Sequence, residues 1–402
     1  MNTIAEQYVR LTLQVGQHDP DYVDAYYGPP EWKPAEKAGL GELTTKAADL
    51  LRELTNRRQP ADEMEGLRYR YLHAQLSAMN ARLRMLKGER LSFDDESRAL
   101  YNATAPVIPE SEFQRTLDEM ERRFPGEGPL VDRYERWRRT FVIPKDRLDA
   151  VFRTAISACR ERTNQHLELP PDESFTVEYV TGKSWSGYNW YQGSFRSLIQ
   201  VNTDLPIYID RAVDLACHEG YPGHHVYNVL LEKHLVRDRG WMEFTVYPLF
   251  SPQSLIAEGP ANYGIQVAFP GEARADFEEK TLFPAAGLDP STARDYYAVQ
   301  ALVDRLSYAG NEAARNYIDG RIDRAQATAW LEKYALVAHD RAAQRVRFFD
   351  QYRSYVINYN LGKDMVREFI DARAQGDAQR RWEEFGKLLS SPRLPEGLRV
   401  NH

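Results

Sequence analysis

The chain has 402 residues, with 52 Lys and Arg against 59 Asp and Glu and a net charge of −7; with no long basic run to hold phosphates or anionic lipid, a nucleic-acid or membrane-surface partner is excluded. No uninterrupted apolar stretch approaches the ~18 residues of a membrane span, and Met1-Asn2-Thr3-Ile4-Ala5-Glu6-Gln7 lacks the basic start and apolar block of a signal peptide. Cys159 and Cys217 are too few for a disulfide framework, so the expectation is a cytoplasmic protein, large enough for one big domain or for two lobes sharing a cleft.

Apolar periodicity predicts helices at 2–15, 42–57, 93–103, 110–123 and 129–141. Leu72, Leu76, Met79, Leu83 and Leu86 form one stripe closed by Gly88, and Leu148, Val151, Phe152, Ala155, Ile156 and Cys159 form another after Pro144. His18, His73 and His166 stand alone, and no chemistry is read from residues 1–170, the expected helical N-terminal lobe. After Leu169-Pro170-Pro171 the period changes to two. Phe175, Val177 and Tyr179, then Tyr188-Asn189-Trp190-Tyr191, then Arg196 to Val201, predict two hairpins in a small antiparallel sheet at 174–203. This sheet opens the second expected lobe, 171–402.

Pro206 starts the central helix, whose buried face of Ile209, Val213, Ala216 and Cys217 leads into His218-Glu219-Gly220-Tyr221-Pro222-Gly223-His224-His225. A His-Glu pair with another His close behind is the pattern of zinc hydrolases: two imidazoles hold the ion and the Glu moves the proton of a water. The spacing is two residues longer than the usual four. Six residues of unbroken helix rise about 9 Å, whereas two nitrogens on one tetrahedral zinc sit roughly 3 to 3.5 Å apart. Looping out two residues at Pro222-Gly223 restores a one-turn relation for His224, so His224 is the expected ligand and His225 falls near the substrate or behind the ligands. Asp214, one turn before His218, is a candidate to orient its imidazole. Cys217 points about 100° around the helix from His218 and reads as a small buried filler.

The third ligand is expected at Glu258, in the apolar run Ser254-Leu255-Ile256-Ala257-Glu258-Gly259-Pro260-Ala261. A carboxylate there is costly unless a cation faces it, and the small residues around it allow a close helix approach. Its rivals Glu272, Glu278 and Glu279 lie in a charged stretch. Long helices follow at roughly 290–319, 322–338, 340–352, 355–371 and 376–389, and Arg353, Tyr355 and Tyr359 are the polar-tipped side chains of interest among them.

His218-Glu219 with Pro222-Gly223-His224, then Glu258-Gly259 with Tyr263, then Tyr359-Asn360-Leu361-Gly362, resembles the pattern of domain-of-unknown-function family 885, which is similar to the helical gluzincin metallopeptidases. Pro260-Ala261-Asn262-Tyr263 stands where that family more often has Trp-Ala-Leu-Tyr. The resemblance covers the C-terminal half. It implies a mainly α fold, a large helical bundle with a small antiparallel β-sheet lying over a zincin-like metal site, its edge free to pair with an extended peptide. It also brings in Tyr359 as a donor to the developing oxyanion. The expected protein is a zinc metallopeptidase of small peptides, with Zn2+ on His218, His224 and Glu258, Glu219 as general base and Tyr359 assisting; manganese or cobalt would also suit the site. A zinc hydrolase of a non-peptide amide or ester shares all these residues. A helical scaffold with a structural metal is the third reading, against which Glu219 speaks, since a structural site needs no free carboxylate beside the metal.

Overall fold

The computed structural model describes residues 1–183 and 185–399; Ser184, inside the expected sheet region, and residues 400–402 lie outside the described residues. The protein is mainly α. In the first part α1 (Asn2–Gly16), α2 (Leu40–Thr55), α3 (Glu63–Leu86), α4 (Phe93–Tyr101), α5 (Glu110–Arg123), α6 (Leu130–Arg138) and α7 (Leu148–Asn164) follow the predicted stripes. Their starts are chemical: the side chains of Asp62 and Ser92 accept the Glu65 and Asp95 backbone N–H groups, and Pro109 and Pro129 precede α5 and α6. Leu72, Leu76, Met79 and Leu83 of α3 are wholly buried.

One short element was not expected. β1 (Val23–Tyr26) crosses the chain to pair antiparallel with β5 (Val246–Pro248). The turn that leads into β5 is held to α3 by the buried ion pair of Arg68 with Glu243, 2.6 Å.

The small sheet consists of β2 (Ser174–Val180), β3 (Gly187–Gly193) and β4 (Arg196–Asn202) in the order β2-β4-β3. The β3–β4 hairpin is antiparallel, with Tyr188 opposite Gln200 and Trp190 opposite Leu198. The other half of the expected sheet needs correcting, because β2 lies parallel to β4 on its far side, with Val177 opposite Ile199. The chain therefore crosses β4 between β2 and β3 instead of turning back in a hairpin. Asn202 holds the crossing segment by donating to the Lys183 and Trp185 carbonyls at 3.0 and 2.9 Å, and Asp204 accepts from Gly182 N–H at 2.7 Å. Two strand spacings are only about 10 Å, well within the reach of that segment.

The central part runs through α8 (Asp210–Leu215), a π-helical turn Ala216–Gly220, α9 (His224–Leu231) and α10 (Pro252–Ala268). Then come the short α11 (Ala273–Phe277) and α12 (Phe283–Ala286), and α13 (Ala293–Asp304), α14 (Ala309–Ile318), α15 (Arg324–Tyr334), α16 (His339–Tyr352), α17 (Ile357–Ala374) and α18 (Ala378–Leu389). The single helix expected at 290–319 is two, separated at 305–308. α10 is buried almost all round, as its lack of a polar face requires. It crosses α17 backbone to backbone: a Cβ on Gly259 would lie 2.6 Å from the Gly362 carbonyl oxygen. The Glu-Gly and Tyr-x-x-Gly motifs thus meet through their glycines. One buried apolar cluster extends from Ile4 to Leu398. Between the sheet, α10 and the helices α16 and α17 lies a cavity of about 1280 Å³. Among the described residues no helix is long and apolar enough to cross a membrane.

Candidate metal centre

His218 lies in the π-helical turn, after which the chain leaves the helix at Tyr221-Pro222 and restarts as α9 at His224. The distortion is larger than a two-residue bulge: one helix ends and another begins. Gly223 makes it possible, because its N–H donates to the Cys217 carbonyl at 2.9 Å while a Cβ there would sit 1.9 Å from the His218 carbonyl oxygen. Only glycine fits so close to the preceding turn.

The fold-back brings His218 Nε2 and His224 Nε2 to 3.1 Å. Glu258, from α10, places Oε2 at 3.3 Å from His218 Nε2 and 3.7 Å from His224 Nε2. These are the spacings of ligands around one small cation, about 3.3 Å for a tetrahedron with bonds near 2.05 Å. Glu258 Oε1 accepts the Tyr355 hydroxyl at 2.8 Å, whereas the buried Oε2 has no hydrogen-bond partner; its approaches to the imidazoles have ion-pair distance without hydrogen-bond geometry. Burial pushes the Glu258 carboxyl up, but the two imidazoles outweigh it and hold it far below the usual carboxylate range. Burial pushes His224 down, and Glu258 outweighs that, raising it to about 9. The carboxylate calls for positive charge at this point.

His218, Glu219 and His224 also offer atoms within 4.8 Å of one another. Glu219 stands off from the cluster, Oε1 at 4.0 Å from His218 Nε2. Its backbone carbonyl accepts from Asn189 of β3 at 2.7 Å, and a Cβ on Gly187 would lie 2.8 Å from its Oε1. The start of β3 therefore forms the wall against this carboxylate. Tyr359 lines the same cavity one turn beyond Tyr355, and burial, with the Glu258 and Glu219 carboxylates, pushes its phenol well above its usual value, so it stays protonated.

Other residues singled out in the sequence lie elsewhere. Asp214 pairs with Arg274 at 2.8 Å and Arg211 at 3.2 Å, so guanidinium groups and not His218 occupy it. Glu278 pairs with Arg274, and Glu272 and Glu279 with Arg294. Cys217 is buried with its Sγ 2.7 Å from that of Cys159. His225 points away from the cavity, Nδ1 to Ser197 Oγ and Nε2 to Glu173 Oε2, both at 2.8 Å.

No chemistry is read from residues 1–170 in the sequence, yet Asp24 of this part lines the cavity. β1 carries it into the cavity, where it accepts the Tyr188 hydroxyl at 3.0 Å and burial raises its carboxyl to about 6, within the field of His224, Glu258 and Glu219. The sequence signal was slight, a four-residue strand between prolines.

No protein-family model matches the chain, and no curated protein does. Among the solved structures similar to it are two of bacterial origin. One, "the putative lipoprotein from Colwellia psychrerythraea", aligns over 92% of this chain and 69% of its own with a TM-score of 0.50 and 17% identity. The other, "a putative lipoprotein of unknown function from Shewanella oneidensis", aligns over 89% and 72% with a TM-score of 0.48 and 14% identity. The first likeness is one of fold.

Proposed function

We propose that the protein is a zinc-dependent metallohydrolase, a metallopeptidase that cleaves small peptides. The observation that carries this reading is the convergence of His218 Nε2, His224 Nε2 and Glu258 Oε2 within 3.1 to 3.7 Å, with Oε2 buried and lacking a donor. Such an oxygen is costly unless a cation takes the donor's place, and two imidazoles with one carboxylate suit zinc with a position left open. When bound, the ion supplies Lewis acidity and lowers the pKa of a water.

The chain's own residues supply the rest. Glu219 takes a proton from the attacking water and passes it to the leaving amine. Tyr359 donates its hydroxyl hydrogen to the substrate oxygen on which charge develops. Tyr355 works through Glu258, fixing one carboxylate oxygen so that the other faces the imidazoles. A cavity of about 1280 Å³ has room for several peptide residues, and β3 offers a strand edge beside Glu219. The motif resemblance to family 885 agrees with this reading, and membership there is part of the proposal. So is a cytoplasmic location, resting on the free thiols of Cys159 and Cys217. Elemental analysis of protein purified without chelator should give one zinc per chain, and a peptide library should contain sequences it cleaves. Protein free of first-row metal, or a loaded protein inert to peptides, would sink the reading.

A further inference from the structure

On α16, Arg341, Arg345, Phe348 and Tyr352 follow one another at steps of four, three and four, a single helical stripe, and all four line the cavity. The C-terminal end of the stripe is at the candidate centre. Tyr352 packs 6.1 Å, ring to ring, from Tyr355, and Phe348 packs 6.3 Å from both Tyr355 and Tyr359. Arg345 is two turns back along the same face, roughly 10 Å of helix.

Most cavity arginines have acids of their own. Arg138 faces Asp210 at 3.6 Å, Arg211 faces Asp214 at 3.2 Å, and Arg274 lies between Asp214 and Glu278. Arg345 differs. It is exposed on the cavity wall, and among the described residues it has no ion pair and no hydrogen bond. The charged groups that act on it are the guanidinium groups of Arg341, Arg138 and Arg211, and no carboxylate is among its main influences. Arg341 gives one N–H to the Pro206 carbonyl at 3.2 Å and likewise has no ion pair among the described residues. Arginines gathered at a cavity wall without a counter-charge repel one another, and a carboxylate is the planar anion their forked donors fit.

The cluster is continuous with the wall behind Glu219. Arg211 donates to Ser186 Oγ at 3.3 Å, and Ser186 precedes the Gly187 that abuts the Glu219 carboxylate. An extended peptide advances about 3.3 to 3.6 Å per residue, so the ~10 Å of α16 between Tyr352 and Arg345 corresponds to about three residues.

We propose that Arg345, supported by Arg341, is a substrate-binding residue for a carboxylate a few residues along the peptide from the scissile bond, which makes the enzyme selective for short peptides carrying an anion on that side. The carboxylate is either the peptide's own C-terminus or an acidic side chain. The inference rests on the peptidase reading for its orientation, but its test does not need turnover.

Binding is measured by calorimetry on the Glu219→Gln full-length chain, with three probes: an N-acetylated alanine pentapeptide with a free carboxyl terminus, its C-terminal amide, and the amide carrying glutamate as its last residue. The free acid or the glutamate amide should bind about 10- to 100-fold tighter than the plain amide. Adding Arg345→Gln should reduce that preference to within about twofold, and Arg345→Lys should restore part of it. Because Arg345 has no intramolecular partner to lose, the variants should keep the parent's melting temperature. Tight binding of the glutamate amide would assign the site to acidic side chains; its weak binding would assign it to the terminus. Equal affinity for all three probes, binding of none of them, or a preference for a carboxylate-bearing probe that is unchanged in Arg345→Gln would overturn the proposal. A preference that depends on Arg345 in a protein that cleaves no peptide would leave the anion site standing while the hydrolase reading fell.

Discussion

Two adjacent histidines at the start of α9 sit in opposite surroundings, and the contrast separates a polar cluster open to the cavity from a closed network behind it. His225 is fully buried with both ring nitrogens engaged, one by Ser197 and the other by Glu173, which is itself held by Arg160 and by the Tyr221 hydroxyl, both at 2.6 Å. Its polar atoms find their partners inside the protein. His224 looks the other way, into the cavity, toward another imidazole nitrogen and a carboxylate oxygen that lacks a donor. A closed network ties the Tyr221-Pro222-Gly223 fold-back to β2 and β4; the open one beside it leaves room for a cation. Satisfied polar groups rigidify, and unsatisfied ones in a cavity await a ligand.

The sharpest way to break this comparison is to remove each imidazole in turn. His224→Ala should abolish stoichiometric zinc binding while leaving the fold intact, since a donor is lost but no internal hydrogen-bond network is opened. His225→Ala should keep zinc and lose about 2 to 4 kcal/mol of stability, because Glu173 and Ser197 are left buried without their partner. Zinc content and denaturant midpoints of the two variants, purified side by side, decide it; metal kept in the first and lost in the second would reverse the assignment of the two histidines. Next in size is Glu219→Gln. The amide cannot accept a proton, so turnover should fall by roughly two or more orders of magnitude with zinc retained, and a variant as fast as the parent would make Glu219 part of the scaffold.

What the sequence made legible follows the range of the interactions. The choice of His224 over His225 could be argued from reach alone, because both imidazoles lie within eight residues and the breaker between them is a Pro-Gly pair. Glu258 stood out as the acid in an apolar helix. Asp24 did not, because its place depends on a four-residue strand pairing with Val246–Pro248 more than two hundred positions away. The parallel placement of β2 was hidden for a similar reason: alternation shows that a strand exists, but the choice of neighbour is made by Asn202 and Asp204 gripping the crossing segment. The break at 305–308 carries no Gly or Pro to announce it. Arg341 and Arg345 share a face by simple spacing, yet arginines on a helix read as solvated until a cavity is seen in front of them.

A finer probe asks how far the open side depends on the groups behind it. Tyr355 is the one hydrogen-bond donor to the Glu258 carboxylate among the described residues, so Tyr355→Phe should weaken zinc binding by about 10- to 100-fold without abolishing it. Competition with a zinc chelator measures this directly. An unchanged affinity would mean that packing alone orients Glu258, through the Gly259–Gly362 crossing.

The smallest effect is expected one helical turn further on. Tyr359 has no hydrogen-bond partner among the described residues, and it packs on Tyr355 with ring centroids 5.7 Å apart. Its phenol is held protonated by burial and by the two nearby carboxylates. A donor of this kind does little for a ground-state carbonyl and more for an oxygen gaining charge, so Tyr359→Phe should lower kcat by about tenfold with KM nearly unchanged. Zinc content should equal the parent's, which separates this residue from Tyr355. A rise in KM at constant kcat would instead make Tyr359 a substrate-binding group on the same wall as Phe348, and unchanged kinetics would return it to the aromatic packing between α16 and α17.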